Sequence, residues 1–402
     1  MTIRLLHTTT INQIAAGEVV ERPASAIKEL VENSIDANAK RIDVKIRDGG
    51  RTFISVSDDG QGMSPDDLSL AIERHATSKL PNDNLENIKT LGFRGEALPS
   101  IGSVSRMTIT SRLQDAHTAW MISIEGGKKV APAPAALTKG TTIEVRDLFY
   151  ATPARLKFLK TPKTENSHAL DAIKRLAMAH PEIAFTVTDD KRTMLKLYQS
   201  QNDLLNSRLD RLDAIMSNDF ASNALAIDAK REDLFLTGHI GLPTLNRGNA
   251  SLQFLFVNGR PVKDKLLFGA VRGAYRDFLA HNRHPLLALF LEIPSESLDI
   301  NVHPAKTEVR FRDPGLVRGL IVSALKNALA GAGHRASTTI SNQALGAMQP
   351  EKGTFYPGGY QKKASYPVKQ EYFKQQELSK QIQAPIDHLT DLESARSVKY
   401  VS

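Results

Sequence analysis

The segment from Pro23 to Asp36 has a strong helical pattern, with proline at the first position, where a helix tolerates it best. Its apolar residues recur at three- and four-residue spacing on one side: Ile27, Leu30, Val31 and Ile35. An acid, an amide and a second acid share the other side, at Glu29, Asn33 and Asp36. A carboxylate can deprotonate water, and a neighbouring amide oxygen can bind Mg²⁺. By itself, such a stripe is most often the solvated side of an amphipathic helix, so the glycine-rich segments that follow decide its interpretation.

The composition is that of a globular protein: 41% of the 402 residues are hydrophobic and 24% are charged. The length predicts two or three domains. A net charge of +8 favours contact with a polyanion such as nucleic acid, and the lack of cysteine excludes disulfides and thiolate chemistry. The amino terminus lacks a signal-peptide core, and the apolar run from Leu286 to Ile293 is too short to span a bilayer. We therefore expect a soluble, cytoplasmic protein of the bacterial cytosol and nucleoid, or a nuclear one in a eukaryote.

Helix and strand patterns are mixed in residues 1–207, which we assign to a first domain. Arg41–Arg47 and Thr52–Ser57 alternate with period two around the turn Asp48–Gly50, and Ser64–Asp67 has the features of a capped helix start. Further strands are predicted at Ser105–Ser111, Ala119–Ile124 and Thr141–Val145. The pattern predicts an α+β fold with a mixed, largely antiparallel sheet.

Residues 208–334 are assigned to a second α/β domain. Strands are predicted at Leu234–Ile240, Leu252–Val257 and Leu286–Ile293, and helices at Asp264–Ala280 and Pro314–Ala330. From residue 335 the chain is rich in polar residues and poor in aliphatic ones. Such a segment cannot bury enough apolar surface to offset its ordering entropy, so 335–402 is predicted to be a disordered linker or tail.

Three glycine-rich segments suggest a ligand site. In Asp58–Met63, the aspartate ends a strand and can accept a hydrogen bond from an exocyclic amine. Two glycines leave room for a flat ring. A tight Asp-Gly turn would explain the same sequence equally well. Leu91–Leu98 resembles a phosphate cradle before a helix start, or a hinge. Gly140-Thr-Thr142 is a weaker third segment. The P-loop pattern does not occur, so a nucleotide site here would be of another type.

Taken in order, these motifs resemble those of the GHKL ATPases, a superfamily that includes gyrase B subunits, heat-shock chaperones and sensor histidine kinases. Six strings narrow the resemblance to the MutL family of mismatch-repair ATPases: INQIAAGEVV (11–20), RHATSK (74–79), GFRGEAL (92–98), DLFYATPAR (147–155), FVNGR (256–260) and NVHPAK (301–306). The resemblance covers about residues 1–332. It implies a GHKL, or Bergerat-type, α/β sandwich followed by a second α/β domain that resembles ribosomal protein S5 domain 2.

The resemblance implies a role for each matching position. Glu29 would be the general base that activates water, Asn33 would bind Mg²⁺, and Lys306 would reach the γ-phosphate from the second domain. Thr77–Gly95 would be the ATP lid. The residues expected to contact ATP are Asn33, Asp36, Ala37, Asp58, Gly62, Met63, Thr77, Ser78, Lys79, Leu91, Gly92, Phe93, Arg94, Gly95, Glu96, Ala97, Leu98 and Thr142. A single base with one cation, and no arginine finger in these motifs, implies the slow turnover of a switch.

The resemblance also implies partners. ATP binding would order the lid and the segment Ile11–Val20, and two N-terminal regions would then dimerise. Further partners would be DNA, the mismatch-recognition protein MutS, downstream nuclease and helicase factors, and the sliding clamp. Four arginines are candidates for a positive groove that contacts DNA phosphates without reading sequence, although each would also suit an ordinary solvated face: Arg247, Arg272, Arg276 and Arg283.

Family members continue past their linker into a C-terminal dimerisation domain, which in some carries an endonuclease motif. Because this chain stops within the predicted linker, we expect a fragment that is monomeric without nucleotide and has no endonuclease activity. Two other interpretations remain open: a non-catalytic ATP-dependent scaffold, and a topoisomerase-type ATPase subunit.

Overall fold

The computed structural model describes residues 3–79, 90–92, 94–190, 192–200, 204–217, 219–299 and 308–347. Its helices are α1 (Thr8–Val19), α2 (Pro23–Asp36), α3 (Pro65–Ala71), α4 (Ala97–Val104), α5 (Pro153–Leu156), α6 (Pro162–Ala179), α7 (Leu204–Met216), α8 (Lys265–Tyr275) and α9 (Pro314–Ala347). Its strands are β1 (Arg41–Arg47), β2 (Phe53–Asp58), β3 (Arg106–Arg112), β4 (Ala119–Glu125), β5 (Lys128–Ala135), β6 (Gly140–Arg146), β7 (Ala184–Asp189), β8 (Arg192–Leu197), β9 (Ala224–Arg231), β10 (Leu234–Gly241), β11 (Asn246–Arg247), β12 (Gln253–Val257), β13 (Arg260–Val262), β14 (His284–Pro285), β15 (Leu287–Glu292), β16 (Leu298–Asp299) and β17 (Arg310–Phe311).

An eight-stranded sheet forms the first part of the fold, in the order β5-β4-β3-β6-β2-β1-β7-β8. Strand β1 pairs in parallel with β7, and the other neighbours are antiparallel. Helix α2 packs against α6, α4 and β2, so its apolar side faces the core. The α+β class and the mixed, largely antiparallel sheet predicted from the sequence are confirmed.

A five-stranded sheet, β13-β12-β15-β10-β9, forms the second part. Its central strands are buried on both faces, because alternate residues enter different cores. Phe256 and Phe290 stack with ring centroids 4.5 Å apart and belong to the core of the first sheet. Leu255 and Leu289 belong to a second core beneath α8 and α9. The apolar run after Leu286 is therefore a buried strand, as predicted.

Two predicted helix ends were wrong. Helix α8 ends at Tyr275 rather than near Ala280, with Arg276 as its C-cap. Helix α9 continues past the predicted end near Ala330 and through the first 13 residues of the predicted tail, to Ala347. No proline interrupts the sequence before Pro350, and extending an existing helix avoids the cost of nucleating a new one. The rest of the predicted tail, 348–402, lies outside the described residues.

Helix α9 is long, but neither it nor any other described helix is both long and apolar enough to cross a membrane. Residues 1–345 form one compact unit. The boundary we placed at residue 207 falls within α7, and it stays a prediction.

Candidate nucleotide-binding site

Helix α2 packs its apolar side against the core and leaves its polar stripe on the other side. Ile27 and Leu30 are fully buried in the core, whereas the side chain of Glu29 is 19% exposed on the other side. Glu29 lies 3.3 Å from the ammonium of Lys28, which also pairs with Glu32 at 2.8 Å. Burial lowers the pKa of Lys28, but the charges of Glu32 and Glu29 outweigh it, so the pKa is raised overall. The predicted base thus stands beside a persistent positive charge.

Asn33 and Asp36 already hold a cationic group. The Nζ of Lys79 donates to Asn33 Oδ1 at 2.7 Å and to Asp36 Oδ2 at 2.6 Å. An amide oxygen and a carboxylate oxygen that converge on an ammonium form a donor set that also suits a hard divalent cation. Among the described residues there is no cluster of three or more histidine, cysteine or acidic side chains that could hold a metal. Mg²⁺ at this site would therefore depend on the Asn33 amide rather than on a carboxylate cage.

Asp36 also fastens one end of the predicted lid. Its Oδ1 accepts a hydrogen bond from Leu91 N at 2.9 Å, and its Oδ2 accepts one from Gly92 N at 3.0 Å. At the same end, Gly95 has a φ of +61°, and a Cβ there would lie 2.4 Å from the carbonyl oxygen of Ala76. The residues just before the lid and the last residue of the lid are thus in direct backbone contact, and His75 N donates to Gly95 O at 3.1 Å.

Asp58 lies at the end of β2, as the sequence predicted. Its Oδ2 accepts a hydrogen bond from Ser34 Oγ at 2.7 Å and its Oδ1 accepts one from Gly60 N at 2.9 Å. Desolvation by burial raises the pKa of Asp58 above its ordinary value, and hydrogen bonds from Ser34, Gly60 and Thr141 only partly offset this effect. A partly buried carboxylate with fixed neighbours is suited to recognise a single amine.

Four other residues predicted to contact ATP each have defined backbone or side-chain contacts. Gly62 has a φ of +74°, and a Cβ there would clash with Arg112 O at 2.0 Å, so glycine is required at this position. Thr142 Oγ1 lies 3.0 Å from Ser57 Oγ, and Met63 N donates to Ser111 Oγ at 2.8 Å. The carbonyl of Ala37, at the C-cap of α2, accepts a hydrogen bond from Gln61 N at 3.0 Å.

The predicted phosphate segment leads into the N-terminus of α4, where Glu96 is the N-cap and Ala97 the first residue. Arg94 and Leu98 are partly buried, and Thr77 and Ser78 are exposed. Helix N-termini favour anions, and the phosphate contact of this segment stays a prediction. Phe93 and Lys306 lie outside the described residues.

Sequence reasoning missed three residues at this site: Lys28, Ser34 and Arg260. Lys28 and Ser34 each precede or follow a predicted site residue, but such proximity alone gave no reason to select them. Arg260 belongs to the FVNGR string that carried the resemblance, where no role was assigned to it. Its guanidinium reaches across the fold to the carbonyl oxygens of Thr90 and Leu91.

The four arginines predicted to contact DNA lie near the end of α8 and the β11–β14 pair. Arg272 Nη2 lies 2.6 Å from His281 Nε2, and Arg247 is the β-partner of His284, which follows Arg283. All four arginines are exposed. Arg276 lines a separate groove of about 590 Å³ between α8 and α9, together with Arg318 and Lys326. The structure therefore gives Arg272 and Arg247 each a histidine neighbour and places Arg276 at the groove between α8 and α9, while a shared positive groove for all four stays a prediction.

Two sequence families match the chain over most of these elements. Residues 21–147 match the family described as histidine kinase-, DNA gyrase B- and HSP90-like ATPase. Residues 212–330 match the family described as DNA mismatch repair protein, C-terminal domain. The first match contains α2, Asp58 and the lid, and the second contains α8 and the five-stranded sheet.

Individual relatives agree with both matches. The DNA mismatch repair protein MutL of Rhodospirillum rubrum is 62% identical over 373 residues, which are 91% of this chain and 59% of the relative. That of Paramagnetospirillum magneticum is 63% identical over 87% of this chain and 57% of the relative. The chain thus spans somewhat more than half the length of these relatives.

Solved structures show the same fold. The N-terminal domain of a DNA repair protein superposes with a TM-score of 0.67 at 26% identity, covering 80% of this chain and 98% of that one. The Aquifex aeolicus MutL ATPase domain complexed with ADP superposes with a TM-score of 0.54 at 28% identity, covering 75% and 98%. With the GHKL fold, the ordered motifs and these relatives in agreement, the chain belongs to the MutL family of DNA mismatch repair proteins.

Proposed function

We propose that this chain binds ATP with Mg²⁺ beside the polar side of α2 and hydrolyses it slowly. The observation that carries the proposal is the shared face of α2, where Glu29 stands beside an Asn33 amide oxygen that already holds a cationic group at 2.7 Å. The Asp58 carboxylate at the end of β2 is held by Ser34 and Gly60 and is suited to accept an amine. The ADP complex of the related Aquifex aeolicus domain supports nucleotide binding by this domain.

Each residue has a task that follows from its position. Glu29 would orient a water molecule and take its proton, while Asp58 would accept the adenine amine. Asn33 would provide one oxygen ligand to Mg²⁺, which when bound neutralises phosphate charge. Because Lys79 occupies Asn33 Oδ1, its ammonium must leave before a cation can bind there, and the phosphates are its natural next partner. Lys306 is proposed to reach the γ-phosphate.

The proposed cycle is a switch in DNA mismatch repair. Nucleotide binding would order the lid and bring two N-terminal regions together as a dimer or DNA clamp, and hydrolysis would release them. Several apolar side chains near the amino terminus are exposed and suited to be covered by a second copy, namely Ile3, Leu5, Leu6, Ile11 and Ile14. We further propose that this cytoplasmic switch couples MutS to nuclease and helicase factors and the sliding clamp, and that this chain has no endonuclease activity.

Glu29→Ala tests the catalytic assignment. It should abolish ATP turnover, because water loses its base, while leaving ATP affinity within about threefold, because the carboxylate does not hold the nucleotide. If hydrolysis releases the dimer, the variant should remain dimeric in ATP and Mg²⁺, which light scattering measures directly.

The control is Glu125→Ala, which removes an exposed carboxylate at the end of β4 and should leave turnover and dimer lifetime unchanged. Turnover by Glu29→Ala at the wild-type rate would refute the role of Glu29. Tight ATP binding by the wild-type chain with no measurable hydrolysis would favour the non-catalytic scaffold instead.

A further inference from the structure

The segment Thr90–Gly92, at the C-terminal end of the lid, is held from two sides by parts of the chain that are far apart in sequence. On one side, Asp36 of α2 accepts hydrogen bonds from the backbone N–H groups of Leu91 and Gly92. On the other side, Arg260 at the start of β13 donates from Nη1 to Leu91 O at 2.9 Å and from Nη2 to Thr90 O at 2.5 Å. Leu91 is thus fixed through both its N–H and its C=O.

Both holding groups are shielded from water. Arg260 is 6% exposed, and the side chain of Asp36 is also 6% exposed. Hydrogen bonds from a charged donor or to a charged acceptor are stronger than neutral ones, and shielding increases their strength. The planar guanidinium serves two adjacent carbonyl oxygens at once, which a lysine ammonium cannot reproduce.

Arg260 also faces the acidic side of α2. Burial lowers the pKa of its guanidinium, whereas the charges of Glu32, Asp36 and Glu29 act to raise it. The same arginine that holds the end of the lid therefore provides a buried positive charge near the predicted base.

The attachment of Arg260 gives this contact a mechanical consequence. Strand β13 pairs with β12, and β12 pairs with β15, so Arg260 is part of the five-stranded sheet. Gly92 packs closely against Lys79, because a Cβ at position 92 would lie 3.2 Å from Lys79 Nζ. Movement of the sheet relative to α2 would therefore pull on the end of the lid and on the residues that contact Lys79.

We propose that Arg260 is a positioning residue that couples the five-stranded sheet to the nucleotide lid by fixing Thr90–Gly92 against Asp36. This proposal rests on the proposed ATPase function for its effect on turnover, whereas the contact itself can be tested without nucleotide. Arg260 would not touch the reacting atoms. It would set where the lid ends, and so how readily the lid closes over a bound nucleotide.

Arg211 provides a matched control. It is equally buried, at 4% exposure, and its guanidinium also donates only to backbone carbonyls, those of Ala177, Pro181, Ile183 and Tyr198. None of these is a candidate site residue. If both buried arginines only stabilise the fold, substitutions of Arg211 and Arg260 should have the same effects on thermal midpoint, hydrogen exchange and KM.

The experiment compares Arg260→Lys and Arg211→Lys with the wild-type chain. Hydrogen–deuterium exchange of ligand-free protein should be about tenfold faster in peptides spanning 90–92 for Arg260→Lys only, the order expected when one charge-assisted hydrogen bond is lost. In ATPase assays, the KM for ATP should rise about tenfold with a smaller change in kcat. In the variant, nucleotide binding must also order residues 90–92, which are already fixed in the wild type. Arg211→Lys should lower the thermal midpoint without changing the exchange at 90–92 or the KM.

Unchanged exchange at 90–92 in Arg260→Lys would overturn the proposal, and so would an equal increase in Arg211→Lys. Faster exchange without any change in KM would show that Arg260 orders this segment but does not act on nucleotide binding, which also contradicts the coupling. If the wild-type chain has no ATPase activity, ATP affinity replaces KM as the readout. The proposed hydrolysis would then have failed, while the coupling would still be decided by exchange and affinity.

Discussion

Asp58 ends β2 with its carboxylate enclosed by Ser34 and the backbone of Gly60. Because desolvation raises its pKa above 3.8, this group takes up a proton at a pH where an exposed aspartate is still ionised. The ionised carboxylate accepts a hydrogen bond from the adenine amine more strongly than the protonated acid does. We therefore expect the affinity for ADP to fall as the pH drops through the raised pKa of Asp58, by about tenfold in total, the cost of replacing a charged acceptor by a neutral one. Calorimetric titrations between about pH 7 and pH 4 would measure this effect.

Asp58→Asn provides the control, because its amide keeps an acceptor oxygen but does not titrate. The variant should bind ADP about tenfold more weakly at neutral pH and should lack the acidic decline that belongs to this group. If the two proteins lose affinity in parallel as the pH falls, the titrating group is not Asp58.

Glu29, Asn33 and Asp58 could be selected from the sequence because their signals are local: a helical stripe, and a glycine pair after a strand. Ser34 and Arg260 could not be selected in this way. Ser34 meets Asp58 across 24 residues, and Arg260 meets Leu91 across 169, so their roles exist only after the chain has folded. Lys79 was expected to contact phosphate, but its position on Asn33 and Asp36 is equally a product of tertiary structure.

Among the elements, β12 and β15 decide the architecture because both faces of each strand are buried. Phe290 stacks on Phe256, and the guanidinium of Arg208 lies 4.1 Å from the Phe290 ring centroid. Phe290→Ala should remove this packing and leave a cavity on this face of the five-stranded sheet, lowering the free energy of unfolding by about 3–5 kcal/mol. Urea unfolding followed by circular dichroism would measure the loss.

Phe158→Ala is the matched substitution at an exposed site, since Phe158 is 81% exposed. It should change the free energy of unfolding by less than about 0.5 kcal/mol. Comparable losses in both variants would mean that the Phe290 side chain is not part of a closely packed interface.

Elements with a strong pattern were predicted well, and elements shaped by their neighbours were not. Helix α2 has the predicted bounds because proline sets its start and its apolar stripe continues to the end. Strand β5 was missed because Pro132 and Pro134 argue against a strand, yet prolines are tolerated here, at the open edge of the sheet beyond β4. The early end of α8 and the extension of α9 likewise depend on neighbouring parts of the chain, and intrinsic helix propensity does not take these into account.

At the scale of the whole molecule, the net charge of +8 favours DNA binding on a surface where basic residues cluster. Arg272 lies at the C-terminal end of α8, close to His281 and near the β11–β14 pair that carries Arg247. If these side chains contact DNA phosphates, Arg272→Glu should weaken DNA binding and abolish DNA stimulation of ATP hydrolysis, while basal hydrolysis stays intact. Fluorescence anisotropy with a short duplex at several salt concentrations would measure the affinity.

The salt dependence separates a direct phosphate contact from a general effect of net charge. Each phosphate neutralised by the protein releases counterions, so losing one contact should make the slope of log K against log salt shallower by about 1. Arg192→Glu makes the same change in net charge at an exposed position on β8, which belongs to a different sheet from the β11–β14 pair. It should lower affinity only slightly and keep the wild-type slope. Equal slopes of log K against log salt for Arg272→Glu and Arg192→Glu would contradict a phosphate contact at Arg272, because the change in net charge alone would then explain any loss of affinity.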